Sequence, residues 1–232
     1  MLSAALLIGQ LTWPSVVYWW HLPTPGRVGF DQFESATMVR DHLVYLPENY
    51  GGSKAWPLVV FLHGAGERGV DPSRLRKQGP LRLKLPTVVV VPQCLPSYSW
   101  EPDTVAGLIE SVASRYRVDR KRIYLVGFSM GGFGVMRTAA AHPDMIAAVV
   151  AISGGGNPAD AKKLRDLPLW AFHGAADKTV PLKQSEEMID AIHKAGGGAK
   201  LTVLPNAGHG ICNSVCDRAD LWQWLFKQRQ PP

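Results

Sequence analysis

Ser129 lies in the segment GFSMGG at residues 127–132, which follows an apolar run and precedes a pattern of helical spacing. A Gly-x-Ser-x-Gly segment between a strand and a helix is typical of a nucleophilic serine on a tight, strained turn. Gly127 and Gly131 carry no side chains that would collide with the neighbouring strand and helix. The pattern predicts a hydroxyl held above a sheet, where it attacks an acyl carbon once a base removes its proton.

Asp177 and His209 are the candidates for the acid and the base that such a serine needs. Each follows a predicted strand, 169–172 and 200–204 respectively, and they occur in the order serine, acid, histidine that is expected for this turn. We predict that Asp177 orients His209, which takes the Ser129 proton and passes it to the leaving group. Activity should fall as the pH drops, because a protonated imidazole accepts no proton.

The other aspartates and histidines are weaker candidates. Asp160, Asp166 and Asp190 lie in helical or pre-strand segments. His63 and His173 each precede a glycine at a strand end, where a side chain that shapes the loop and is satisfied locally is the simpler interpretation. The remaining histidines lie on helices or early in the chain, at His21, His42, His142 and His193.

The loop FLHGAGERG at residues 61–69 is predicted to supply a backbone amide to the site. An acyl carbonyl becomes negatively charged on attack and needs N–H donors that already point at it. We expect the N–H of Met130 to be one donor and that of Ala65 to be the other, with Gly66 as the neighbouring alternative. The loop lacks the lysine followed by serine or threonine that closes a phosphate-binding loop.

The walls of a substrate pocket are expected from the segment 93–100, which follows a predicted strand. Gln93, Tyr98 and Trp100 are the candidates to face a substrate, and aromatic surface there suits an acyl or aromatic group. For Trp100, packing in the core is the safer interpretation.

A regular alternation of strand and helix patterns positions these residues. Strands are predicted at 39–46, 58–62, 88–91, 122–127, 147–152, 169–172 and 200–204, and helices at 104–116, 132–142, 182–194 and 217–230. The first strand mixes polar and apolar residues like an antiparallel edge strand, and the others suit a sheet covered by helices. The sequence therefore predicts an α/β fold with a mostly parallel twisted sheet, helices on both faces and no sizeable lid domain. Ligands bind at the carboxyl ends of the strands in such sheets.

The composition fits a globular domain. The 232 residues are 46% hydrophobic and 19% charged, which excludes global disorder and coiled coil. The net charge of +6 fits a solvated surface, and the basic run 74–84 lacks the interleaved aromatic residues of a nucleic-acid surface. Three cysteines are too few for a disulfide framework, and one nearby histidine is insufficient for a zinc site at Cys212 and Cys216.

Residues 1–26 are interpreted as an apolar segment and linker ahead of a single domain at residues 27–232. Residues 1–20 carry no charged side chain, which fits a signal peptide or a membrane anchor. No lysine or arginine precedes the apolar run, so a cytoplasmic protein with a mis-assigned start or a packed arm is the equal alternative. Membrane contact is expected only through residues 1–22.

From about residue 39 onwards the chain resembles the α/β-hydrolase superfamily. It is most similar to the carboxylesterase/phospholipase-like and dienelactone-hydrolase-like group, which includes predicted peptidases of the prolyl oligopeptidase family and feruloyl-esterase-like enzymes. The matching segments are LHGAGERG at 62–69, VPQC at 91–94 with Trp100, GFSMGG at 127–132, HG at 173–174 with Asp177, and GH at 208–209. The resemblance implies Ser129, Asp177 and His209 as a triad that works without a cofactor or metal. The chain departs from the group at residues 210–213, where a bulky residue is expected.

The leading hypothesis is an esterase that acts on small-molecule esters through an acyl group on Ser129. A peptidase or acyltransferase with the same triad is the alternative. An amide leaving group is harder to expel, and no predicted insertion is long enough for a gating domain, so an ester is favoured. A non-catalytic binding protein with this fold is the third hypothesis, and the complete set of serine, aspartate and histidine argues against it.

Overall fold

An eight-stranded sheet forms the centre of this computed structural model, which describes residues 23–33 and 39–231. The predicted segment 1–22 lies outside the described residues. The strands are β1 Val28–Gln32, β2 Val39–Tyr45, β3 Trp56–Leu62, β4 Val88–Cys94, β5 Val118–Phe128, β6 Ala148–Ile152, β7 Leu169–Gly174 and β8 Lys200–Leu204. Their order across the sheet is β1-β2-β4-β3-β5-β6-β7-β8, and β2 runs antiparallel to both of its neighbours while the remaining pairs are parallel.

Helices cover both faces of this sheet. They are α1 Pro102–Arg115, α2 Met130–Ala141, α3 Ala161–Leu164, α4 Lys183–Lys194, α5 Cys212–Cys216 and α6 Ala219–Leu225. None of the helices in the described ranges is long and apolar enough to cross a membrane.

Two apolar cores form because successive side chains of a strand point to opposite faces. Strands β3 and β4 are buried along their whole length. In β3, Val60 packs in the core beneath α1 to α4, and Phe61 packs in the core beneath α5, α6 and the short 3₁₀ turns at 72–82. The prediction of a mostly parallel α/β sheet with helices on both faces is confirmed.

The prediction that β2 lies at the edge of the sheet is wrong. Strand β2 is antiparallel as expected, but β1 pairs along its outer side, with Asp31 opposite His42. The sequence of β1, VGFDQ, ends in two polar residues and shows too short an alternation to be identified alone. The segment expected to be a linker also contacts the sheet, since the Gly26 N–H donates to the Leu46 carbonyl at 2.9 Å.

The prediction of one closing helix over 217–230 is also wrong, because α6 covers only Ala219–Leu225 of that range. Helix α5 ends at Cys216, Arg218 adopts an extended conformation with φ −75° and ψ 118°, and α6 ends at Leu225. Beyond α6 the chain attaches to β5, because the Tyr124 hydroxyl donates to the Gln228 carbonyl at 2.8 Å. Tertiary contact with the sheet therefore replaces the last turns of the helix.

Gly79 fixes how the 3₁₀ turns pack on the sheet. Its φ is +49°, and a Cβ atom there would lie 2.7 Å from the Phe61 ring. Gly52 also has a positive φ, +58°, but a Cβ there would have no neighbour within 4 Å. The two glycines share the backbone conformation and differ in the space available.

We expect Gly79→Ala to lower the free energy of unfolding by about 2–4 kcal/mol, because left-handed strain and overpacking against Phe61 add together. Gly52→Ala is the matched control and should cost about 1–2 kcal/mol from strain alone. Urea denaturation of both variants measures the difference. Equal losses would show that the contact with Phe61 relaxes without cost.

Candidate active site

Ser129 occupies the turn between β5 and α2 with φ +54° and ψ −116°. Glycines make this turn possible, since a Cβ on Gly127 would lie 2.2 Å from the Gly131 carbonyl oxygen and one on Gly131 would lie 1.9 Å from the Leu62 carbonyl oxygen. The Ser129 N–H donates to the Ile152 carbonyl at 2.8 Å. Strained serine backbone of this kind persists where the surrounding structure holds it.

His209 lies within hydrogen-bond distance of both Ser129 and Asp177. Its Nε2 is 2.9 Å from the Ser129 Oγ, and its Nδ1 is 2.8 Å from the Asp177 Oδ2. The carboxylate accepts, so Nδ1 carries the proton and Nε2 is left as an acceptor for the serine hydroxyl. The structure thus brings together the three side chains singled out in the sequence, which lie at the ends of β5, β7 and β8.

Asp177 is buried and held at both of its oxygens. Its Oδ1 accepts the N–H of Thr179 at 2.8 Å and that of Val180 at 2.9 Å. Burial alone would raise the pKa of Asp177, but the hydrogen bonds from His209 and the two amides outweigh it and hold the pKa below its usual value. The carboxylate is therefore ionised at neutral pH.

Three contacts that the sequence analysis did not foresee hold the His209 loop. The Ser153 Oγ donates to the His209 carbonyl at 3.0 Å, and Ser153 itself has a positive φ of 47°. The Phe128 ring lies 5.1 Å from the imidazole, centroid to centroid. Gly174 allows the loop to approach β7, since a Cβ there would lie 2.3 Å from the Gly208 carbonyl oxygen. In the sequence, only the position of Ser153 directly after a buried strand indicates that its side chain could belong to the site.

The amides of Met130 and Ala65 lie just beyond the ends of two paired strands, β5 and β3. Met130 is the first residue of α2, so its N–H has no partner within the helix. Ala65 opens a 3₁₀ turn after β3, which pairs with β5 so that Leu62 stands opposite Gly127. Neither N–H, nor that of Gly66, donates to another group in the described part of the chain. All three amides remain available for a developing negative charge.

His63 shapes the loop that carries Ala65. Its Nδ1–H donates to the Gly64 carbonyl at 2.7 Å, and its Nε2 accepts the Cys94 N–H at 3.0 Å. Burial lowers the pKa of His63 to about 4, so the ring is neutral at pH 7. The side chain is satisfied locally, as the sequence suggested.

Gln93 and Trp100 lie behind this loop, and their predicted contact with a substrate needs correction. The Gln93 Nε2 donates to the Glu67 carbonyl at 2.8 Å, and the Trp100 Nε1 donates to the His63 carbonyl at 2.9 Å. Both side chains are buried, which leaves them no surface for a substrate. Tyr98 is 44% exposed and stays a candidate for the pocket wall.

The segment after His209 turns inward. Ile211 and Cys212 are buried in the core beneath α5, so the expected bulky residue is replaced by side chains that pack under the sheet. Cys212 and Cys216 are free thiols. Arg68, in the loop that carries Ala65, contacts the residue after the serine, since its Nη2 lies 2.9 Å from the Met130 Sδ.

A serine, a histidine and an aspartate at three strand ends of this sheet, beside unpaired amides, are the features of an α/β-hydrolase. The sequence model of the Dienelactone hydrolase family matches residues 101–220, just over half of the chain. The chain belongs to this family.

Individual relatives are similar over part of their length. A bifunctional acetylxylan esterase/xylanase from Neocallimastix patriciarum is 29% identical over 181 residues, which cover 72% of this chain and 26% of the relative. A thermostable esterase of known structure is 28% identical with a TM-score of 0.73, over 82% of this chain and 59% of that one. A ferulic acid esterase matches with a TM-score of 0.68 at 18% identity, over 87% and 98% of the two chains, and shows the shared fold. The chain thus spans about a quarter of the curated relative.

Burial of neutral His63 makes stability depend on pH. The unfolded chain binds a proton near pH 6.5, whereas the folded chain does so only near pH 4. The contribution of neutral His63 to the free energy of unfolding is complete above about pH 6.5 and is lost as the pH falls towards 4. At pH 5 it should lower the free energy of unfolding by about 2 kcal/mol relative to pH 7. Urea denaturation at both pH values tests this, with His63→Gln as the variant that should lose less. An equal pH dependence in both proteins would contradict it.

Proposed function

We propose that the protein is a serine hydrolase that cleaves carboxylic esters through an acyl-enzyme on Ser129. The observation that carries this proposal is the unbroken contact from the Ser129 Oγ to the His209 Nε2 at 2.9 Å and from the His209 Nδ1 to the Asp177 Oδ2 at 2.8 Å. Membership of the dienelactone hydrolase family and the esterases among its relatives support it.

In the first half of the reaction the Ser129 Oγ bonds to the ester carbonyl carbon while its proton moves to the His209 Nε2. The carbonyl oxygen becomes an oxyanion that accepts hydrogen bonds from the N–H groups of Met130 and Ala65. The bond from carbon to the alkoxy oxygen then breaks, and His209 gives its proton to the departing alcohol. The acyl group remains on Ser129.

Water completes the reaction. A water molecule loses a proton to the His209 Nε2 as its oxygen bonds to the acyl carbon, the ester bond to Ser129 breaks, and the proton returns to the serine oxygen. A carboxylic acid leaves. Asp177 stays ionised throughout, holds the ring through Nδ1 and stabilises the imidazolium formed in each half.

The substrate is a small-molecule ester with an acyl or aromatic acid group. Residues 27–232 act as one catalytic domain in this proposal, with no nucleic-acid partner. In this proposal Tyr98, which is exposed and lies in the segment after β4, provides aromatic surface for the acyl group.

Ser129→Ala should reduce the hydrolysis of p-nitrophenyl acetate by at least about 10³-fold, because nothing replaces the nucleophile. It should also abolish labelling by a fluorophosphonate probe while leaving the thermal midpoint close to that of the wild type. Ser114→Ala, an exposed serine on α1, is the control and should keep both activity and labelling. Turnover by Ser129→Ala within about tenfold of the wild type would overturn the proposal.

An ester should be preferred to an amide. The p-nitrophenolate of p-nitrophenyl acetate departs with little protonation, whereas the amine of a proline-containing anilide needs a full proton from a precisely held His209. We expect kcat/KM for the ester to exceed that for the anilide by at least about 10³-fold. Comparable values would favour the peptidase instead.

A further inference from the structure

His173 is a second, buried histidine that lies beside the acid of the triad. It lies near the end of β7, with its Nε2 2.9 Å from the Val180 carbonyl oxygen and 3.2 Å from the Asp177 Oδ2. Its Nδ1 lies 2.7 Å from the Ser185 Oγ on α4. The side chains of His173 and Asp177 are both fully buried.

The partners of Nε2 fix the role of that atom. A carbonyl oxygen and an ionised carboxylate only accept hydrogen bonds, so Nε2 carries a proton and donates it. The bond goes to Val180, and the Asp177 Oδ2 lies close to the same N–H. That oxygen also accepts from the His209 Nδ1. Two imidazole nitrogens thus lie within 3.2 Å of the same Asp177 oxygen.

Val180 links His173 to the other carboxylate oxygen. Its N–H donates to the Asp177 Oδ1 at 2.9 Å, while its carbonyl receives the bond from His173. Ser185, which contacts the His173 Nδ1, is itself fixed in position, because its Oγ is also 2.7 Å from the Gly154 carbonyl oxygen. Movement of His173 would therefore displace both the loop and the carboxylate.

We propose that His173 is a positioning residue for the hydrolysis, one that holds Asp177 where it can orient His209. This inference rests on the proposed function. Without the Nε2 donor, the Val180 carbonyl loses its tie to β7, while the bond from the Asp177 N–H to the Gly174 carbonyl remains. The carboxylate then shifts, and the His209 ring loses its alignment with Ser129. A misalignment of this kind slows the chemical step and leaves binding of the ester unchanged.

Two substitutions of similar size separate this role from a structural one. Gln places its amide nitrogen near the position of Nε2, whereas Asn places it near Nδ1 and reaches Ser185 but not Val180 or Asp177. We expect His173→Asn to lower kcat for p-nitrophenyl acetate about 10- to 100-fold with KM within about twofold of the wild type. His173→Gln should recover most of the loss. Equal kcat values in the two variants would overturn the proposal.

The pair with Asp177 gives a second test. If His173 acts through Asp177, His173→Asn should change kcat less than about twofold in an Asp177→Asn background, because the carboxylate that it positions is already gone. The rate of fluorophosphonate labelling measures this even when turnover is slow. A loss that persists undiminished in the Asp177→Asn background would show that His173 acts by another route.

His193→Asn is the matched control, since it removes an Nε2 contact of 2.7 Å with the Ala199 carbonyl away from the site, and its kcat should stay unchanged. If His173→Asn does not fold, Ser185→Ala replaces it and should lower kcat about threefold or more, and an unchanged kcat overturns the proposal. An active Ser129→Ala would refute the proposed function itself. An inactive Ser129→Ala together with a fully active His173→Asn would refute only the role of His173.

Discussion

The ends of neighbouring strands are tied to one another by main-chain hydrogen bonds, and the site depends on this. The Ser129 N–H, directly after β5, donates to the Ile152 carbonyl at the end of β6. In the same way, the Ser153 N–H, directly after β6, donates to the Phe172 carbonyl in β7. Each tie holds a serine with positive φ, a conformation that costs about 1–3 kcal/mol and needs such support. The strand ends therefore form a fixed edge from which the nucleophile and the support of the histidine loop both project.

The second constraint is the close approach of α2 to the end of β3. Gly131 packs directly on the Leu62 carbonyl, where any side chain would collide. The contact brings the first amide of α2 beside the loop that carries Ala65, and that loop is held from behind by His63 and Trp100. The buried indole of Trp100 thus helps to fix the backbone of the loop that carries the Ala65 amide. This explains why Trp100, which reads in the sequence as a candidate pocket wall, lies in the core.

Local patterns allowed much of this arrangement to be predicted. Continuous apolar runs predicted the buried parallel strands, because such strands are apolar on both faces. The glycines around Ser129 and the strand-end positions of Asp177 and His209 placed three side chains at one edge, and their catalytic roles stay predictions. Strand β1 was missed because its five residues gain their stability from pairing with β2. Ser153 was missed because its partner, the carbonyl of residue 209, is remote in the sequence.

The two His-Gly pairs show why sequence alone fails at this last level. His63 directly follows β3 and His173 is the last residue but one of β7, and both precede a glycine. The Nε2 of His63 accepts an N–H from Cys94, whereas the Nε2 of His173 faces the carbonyl of Val180 and the carboxylate of Asp177. One ring is thus an acceptor that completes the end of a strand, and the other is a donor beside the acid of the triad. His63 finds its partner on β4, a neighbour that the order of the sheet sets, whereas His173 finds its partners in the loop that follows its own strand.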